Sequence, residues 1–309
     1  MRLALAALLS TALALPAPHA AAGKKATADV VSLRFAWPDS AESNVTYTKV
    51  KKQTGKPEQK FTARYANRAE KKGGEWRLSG SGTTWEGTAP FPPALVEEGM
   101  RASEKVVQVV SADLSQVRLE GAEAVEAVFE KMFAGSNVPE AQRQRIMEMA
   151  RTAMVAEANE MWTLGVGFWN GADLPIGKVH TGESEGELPM APGTAVKFQL
   201  RFVARKRVPC AGEKQPRCVE LSLRSIPDPK ALKPALEKFV TSLVPPGQTP
   251  PKGLFERVNI ENDLVLVTEA ATLVPHRMTW TKKARIRSMG KDQETLDRSE
   301  YRYQYPAAR

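Results

Sequence analysis

The side chains that could carry chemistry are few and scattered. His180 and His276 lie far apart in the chain, and neither has a second histidine or a cysteine at a metal-ligand spacing. His276 shares an alternating apolar face with Met278 and Trp280, the setting of a partly buried strand residue rather than of a ligand or base. Gly80-Ser81-Gly82 lacks the G-x-S-x-G frame that raises a nucleophilic serine onto a strained turn. Gly165 and Gly167 follow no strand, so they fail the dinucleotide fingerprint and read as a helix-ending turn. Glu183, Glu185 and Glu187 sit in a turn-rich stretch from Gly182 to Gly193 and read as a solvated acidic loop. Cys210 and Cys218, the only two cysteines, are expected to pair across a short loop. Closing it contributes about 2–3 kcal/mol on a chain-entropy argument. The spacing is not C-x-x-C and no helix start follows, so a structural bond is expected rather than a redox pair. These residues predict a non-enzymatic protein with no cofactor and no metal.

The elements that would position a site are mostly strands. Val31, Leu33, Phe35 and Trp37 alternate with Ser32, Arg34 and Ala36, which marks a half-buried strand. Val45–Val50, Phe61–Tyr65, Trp76–Leu78, Val106–Val110 and Val117–Leu119 continue the pattern, while Ala94–Ser103 can be a short helix or an irregular crossing. In the second half Val196, Phe198, Leu200, Phe202 and Ala204 face one way, and Lys197, Gln199, Arg201 and Arg205 the other. Val219, Leu221 and Leu223 complete a hairpin across the cysteine loop, and strands follow at Val258–Val267, Met278–Ile286 and Tyr301–Tyr305. A short helix is predicted over 234–243.

Between the strand regions, residues 121–169 have helical spacing. Val125, Val128, Phe129 and Met132 fall at i, i+3, i+4 and i+7. Gly135 is a C-terminal stop, Pro139 opens a second helix, and Met147, Ala150, Met154, Ala158 and Met161 share one side of it. Half of the ten methionines lie here, and the stretch closes on Trp162, Phe168 and Trp169. The predicted fold class is α+β: a large curved antiparallel β-sheet, half-barrel-like, with an inserted helical hairpin packed on one face. The domain reading is a leader over 1–22 and one mature domain over 23–309, with strands in 30–119, helices in 121–169 and strands in 178–305.

The leader reading rests on Arg2, the apolar run Leu3–Leu15 and the small residues Ala20-Ala21-Ala22. That run is shorter than the roughly 20 residues of a membrane span, so removal near Ala22 and a periplasmic or secreted address are expected, with no transmembrane segment in the mature chain. The formal charge of +9 suits an anionic surface, but the address and the lack of a binding motif argue against nucleic acid.

In the order meander, helical insertion, longer strands, the chain resembles the half-barrel-with-lid carriers of bacterial envelopes, the periplasmic lipoprotein carriers among them. The resemblance covers most of the mature chain as element order, and no motif transfers residue by residue. It implies a hydrophobic ligand held in a groove under helices. The methionine stretch independently suggests an apolar or amphipathic ligand, a lipid for instance, because unbranched, polarizable methionines adapt to varied apolar shapes. Phe129, Met132, Met147, Met154, Met161 and Trp162 are its expected contacts. The alternative is a scaffold that meets an anionic envelope component through Arg201, Arg205, Arg285 and Arg287, provided their strands are neighbours.

Overall fold

Strict alternation of apolar and polar side chains suits an extended chain with one face buried. A computed structural model of the protein is built mainly from such segments, and it describes residues 29–88, 92–133, 138–188, 191–243 and 254–306. The expected leader, the Gly135 stop and the proline-rich loop after residue 243 lie outside the described residues.

In chain order the first half holds β1 (Val30–Ser32), β2 (Ser40–Gln53), β3 (Gln59–Lys72), β4 (Glu75–Gly87), α1 (Pro93–Ser103), β5 (Val107–Val110) and β6 (Val117–Glu120). Then come α2 (Glu123–Phe133), α3 (Glu140–Trp162), a π-helical turn (Thr163–Gly167) and β7 (Asp173–Pro175). The second half holds β8 (His180–Leu188), β9 (Ala191–Val208), β10 (Cys218–Pro227), α4 (Pro229–Leu243), β11 (Arg257–Glu269), β12 (Pro275–Ser288) and β13 (Lys291–Gln304).

Eleven of these strands form one antiparallel sheet, ordered β6-β5-β4-β3-β2-β13-β12-β11-β10-β9-β8, and among the described residues it is not closed. Two meanders meet at a seam between β2 and β13, where Tyr47 stands opposite Tyr301 and Val45 opposite Tyr303. The chain therefore leaves the sheet at one edge, β6, and re-enters at the other, β8. Both edges are blunted against pairing with a further strand: β6 has only four residues, and β8 carries Glu183 and Glu185 outward.

Several expectations need correction. The alternation from Val31 to Trp37 yields only a three-residue ladder, Val30–Ser32 with Asp173–Pro175, outside the large sheet. Leu33, Arg34 and Ala36 instead donate to the carbonyls of Ala172, Ala270 and Thr272, so Phe35 and Trp37 can pack on Trp76 and Trp162. The acidic Gly182–Gly193 stretch is not a loop; most of it is β8 and the start of β9. Glu183 and Glu185 point outward on one face of β8, while Ser184 on the other face is buried. Ala94–Ser103 is helical, and α1 packs against α2, so the helices are not a lone pair.

The 234–243 helix starts earlier, at Pro229, with Asp228 accepting the Lys230 N–H at its head. Pro234 consequently sits inside it. Gly165 and Gly167 do not end the long helix at once; its last turn widens, with the Phe168 N–H donating to the Thr163 carbonyl at 2.7 Å.

The core lies over the second-half strands. Phe198, Phe202, Leu221, Leu223 and Leu264 meet Leu164 from the π turn, Phe168 and Trp169 just after it, and Leu232 and Leu236 from α4. The Trp169 indole N–H reaches the Leu164 carbonyl at 2.8 Å, so even this buried donor is satisfied.

Candidate functional site

The first-half strands and the long helix enclose a different kind of space. Met154, Glu157, Ala158, Met161 and Trp162 of α3 fall at i, i+3, i+4, i+7 and i+8, which places them on one face of the helix. Facing them, Tyr301 and Tyr303 alternate along β13 and so share one side of the sheet, and Tyr305 continues the spacing just past its end. Tyr65 joins them through the register Tyr303, Val45, Tyr65 across three strands. Between helix and sheet lies a cleft of about 480 Å³, bounded further by Trp37, Leu78, Val125 of α2 and Met278. Its size falls within the range of roughly 300–1,000 Å³ usual for small-molecule sites. A second hollow of about 310 Å³ adjoins it beneath α1 and shares Tyr65, Gly80 and Ser103 with it.

One end of the cleft is fixed by aromatic packing. Phe35, Trp37, Trp76 and Trp162 touch one another, mostly edge to face, with ring centroids 5.4 to 5.7 Å apart. The Trp162 indole N–H is satisfied by the Leu114 carbonyl at 3.0 Å. On the floor, the low-dielectric surroundings push the Tyr65 phenol up to about 12 and hold Tyr301 and Tyr303 well above the ordinary tyrosine range. These phenols are neutral at physiological pH. The Tyr305 hydroxyl donates to the Pro275 carbonyl at 2.9 Å, and Tyr47 stacks on Tyr301 at 4.6 Å.

Beyond the cleft, α3 is pinned to the sheet by a buried ion pair. Glu160 is 3% exposed, and Lys282 of β12 donates to its carboxylate at 2.9 Å. Burial pushes the Glu160 carboxyl up to about 7, against the pull of Lys282. Next to Lys282 in register come Asn262 and then Ser225, both 1% exposed, and the Asn262 amide and Ser225 hydroxyl have no partner among the described residues. Buried polar groups left in this way cost stability, which offsets part of what the Lys282–Glu160 pair contributes.

Of the contacts expected from the sequence, Met154, Met161 and Trp162 line the cleft. Phe129, Met132 and Met147 are half-buried in α2 and α3 and do not line it. Arg201 and Arg205 on β9 and Arg285 and Arg287 on β12 are exposed, but β10 and β11 stand between those strands. The two strands therefore do not join into one basic patch. Arg205 pairs with Glu220, Arg285 with Glu294, and Arg287 with Glu256, so carboxylates thread the outward face. Cys210 and Cys218 form a disulfide. Its sulfurs and a ring nitrogen of His276 lie within 4.8 Å of one another, but bonded sulfurs offer no thiolate to a metal. The His276 Nδ1 accepts the Ala211 N–H at 3.3 Å, which braces the disulfide loop.

The tyrosines were not picked out from the sequence as site residues. Their signal was present: four of the five tyrosines in the chain line the cleft, and three of those recur at every second residue from Tyr301 to Tyr305.

No family model matches the chain, and no curated protein does. Among solved structures, a chain described under lipid–protein interactions in lipovitellin is similar over 88% of this chain and 26% of its own, with 8% identity and a TM-score of 0.41. This chain thus spans about a quarter of that protein's length. The β-domain of the Bordetella autotransporter BrkA is similar over 87% of this chain and 100% of its own, with 8% identity and a TM-score of 0.17. Both scores fall below the level at which two chains share a fold, and neither bears on function.

Proposed function

We propose that this is a non-enzymatic, exported protein, periplasmic or secreted, that binds an apolar or amphipathic ligand between its sheet and its helices. The helices following β6 act as a cover over an open, half-barrel-like sheet, and the ligand occupies the space beneath. The observation that carries the reading is the cleft of about 480 Å³ between the α3 face Met154–Trp162 and the tyrosine floor. Flexible methionine ends opposite flat aromatic rings adapt to an acyl chain at little cost. Among the described residues that line the cleft there is no histidine and no cysteine.

Native mass spectrometry of protein recovered from the periplasm is expected to show a co-purifying apolar mass, and a neutral fluorescent naphthylamine probe is expected to bind. Met161→Trp, which fills the cleft from a half-buried position, is expected to abolish probe binding while leaving the far-ultraviolet circular dichroism unchanged. A clean apo mass together with no probe binding by the unaltered protein would overturn the reading.

A further inference from the structure

The cleft's charge is at odds with that of the chain. Lysine and arginine number 44 against 35 aspartates and glutamates, yet Glu157 is the one charged side chain among the described residues that line the cleft. The adjoining hollow repeats the pattern: its one charged lining residue is Glu104. We propose that the cleft selects a cationic amphiphile, a single apolar chain ending in an amine or quaternary ammonium. This rests on the apolar-ligand reading above and adds the sign of the head group.

The geometry points to where each part goes. Glu157 is exposed on α3 while its neighbours on the same face, Met154, Ala158 and Met161, are half-buried, so the carboxylate marks the mouth and the methionines the interior. A head group held there keeps part of its hydration, and the chain runs inward over Tyr301, Tyr303 and Tyr65. The faces of neutral phenol rings carry negative potential, which attracts an ammonium and gives nothing to a carboxylate. Glu157 bears electrostatically on Tyr47 and Tyr301, so the carboxylate lies near these rings. The cation that also feels Glu157, Lys49, is already engaged by Asp297 at 3.4 Å. An anionic head would meet Glu157 without a cation in the lining to offset it, and an uncharged head would leave Glu157 unused.

Chain-matched competitors distinguish these cases. Dodecyltrimethylammonium, dodecyl maltoside and dodecanoate, each below its micelle-forming concentration, would compete with a neutral naphthylamine probe. The cation is expected to displace the probe at about tenfold lower concentration than the carboxylate, the scale of an ion pair plus a cation–π contact. Glu157→Gln is expected to erase that preference and Glu157→Lys to reverse it, with far-ultraviolet circular dichroism checking that both variants fold. Equal displacement by all three heads, a preference for dodecanoate, or a preference that survives Glu157→Gln would overturn the cationic assignment while leaving an apolar cleft. Binding of neither probe nor amphiphile would overturn the cleft reading as well.

Discussion

The β9–β12 part of the sheet and the part formed by β2, β3, β4 and β13 obey the same alternation, yet they are filled differently. Over β9–β12, branched and aromatic side chains such as Phe198, Leu221, Leu223 and Leu264 interlock with Leu164, Phe168, Trp169 and Leu232, and all of them are buried. Over the other part, Tyr47, Phe61, Tyr65 and Tyr301 are only half-buried: Tyr65 and Tyr301 face the cleft under a helix face of methionine, alanine and glutamate, and Tyr47 and Phe61 line the hollow beneath α1. Close packing needs knobs of matched shape from both sides. Flat rings beneath Ala158 and Gly165 leave no such match, so a space remains. The cavity thus lies where flat rings on the strands meet small or flexible side chains on the covering helix.

The largest test of the comparison is Trp169→Ala, expected to destabilise the protein by about 3–5 kcal/mol in urea denaturation because its cavity cannot collapse. Met154→Ala, across the cleft, is expected to cost less than about 1 kcal/mol, since there is little packing there to lose. Similar values for the two would remove the distinction between the halves. Breaking the disulfide by Cys210→Ser with Cys218→Ser should lower stability by about 2–3 kcal/mol, read as a fall in thermal midpoint that added reductant reproduces in the unaltered protein.

The boundary between the halves titrates. The Glu160 carboxyl lies at about 7 when folded and near its ordinary value of 4.5 when unfolded. The folded state therefore holds the proton more tightly, so this contribution is fully present at low pH and is lost as pH rises from about 4.5 through about 7. The loss is on the order of 3 kcal/mol, and Glu160→Gln is expected to flatten it in denaturation series run across that window. A slope unchanged by the substitution would sink this account of Glu160. The smallest effect belongs to the outward face. Arg285→Ala breaks an exposed pair with Glu294 and is expected to move stability by less than about 0.5 kcal/mol.

Much of the fold was legible in the residues. The alternation from Val196 to Ala204 and from Val219 to Leu223 specified β9 and β10, and the cysteine spacing specified the bond between them. Helical spacing from Val125 to Met132 specified α2. What the residues concealed depended on partners distant in sequence. Val31–Trp37 alternates like its neighbours, and only the competing carbonyls of Ala172, Ala270 and Thr272 pull it away from the large sheet. Glycine and serine between Glu183 and Glu187 hid an edge strand that β9 alone stabilises. The site was half legible. The periodicity of α3 exposed Met154 and Met161, but nothing local shows that β13 will lie beside β2 and bring Tyr301 and Tyr303 into line with Tyr65.

That seam also sets the order of assembly. Tyr47 and Ser299, whose hydroxyls meet across it, are 252 residues apart in the chain. Each meander can form by short hairpins, but the tyrosine floor exists only after the two are joined, and closing so long a loop is slow compared with zipping a hairpin. Until then β2 and β13 each present a long unpaired edge. A newly made chain would therefore be most vulnerable to wrong pairing at the strands that later carry the tyrosine floor.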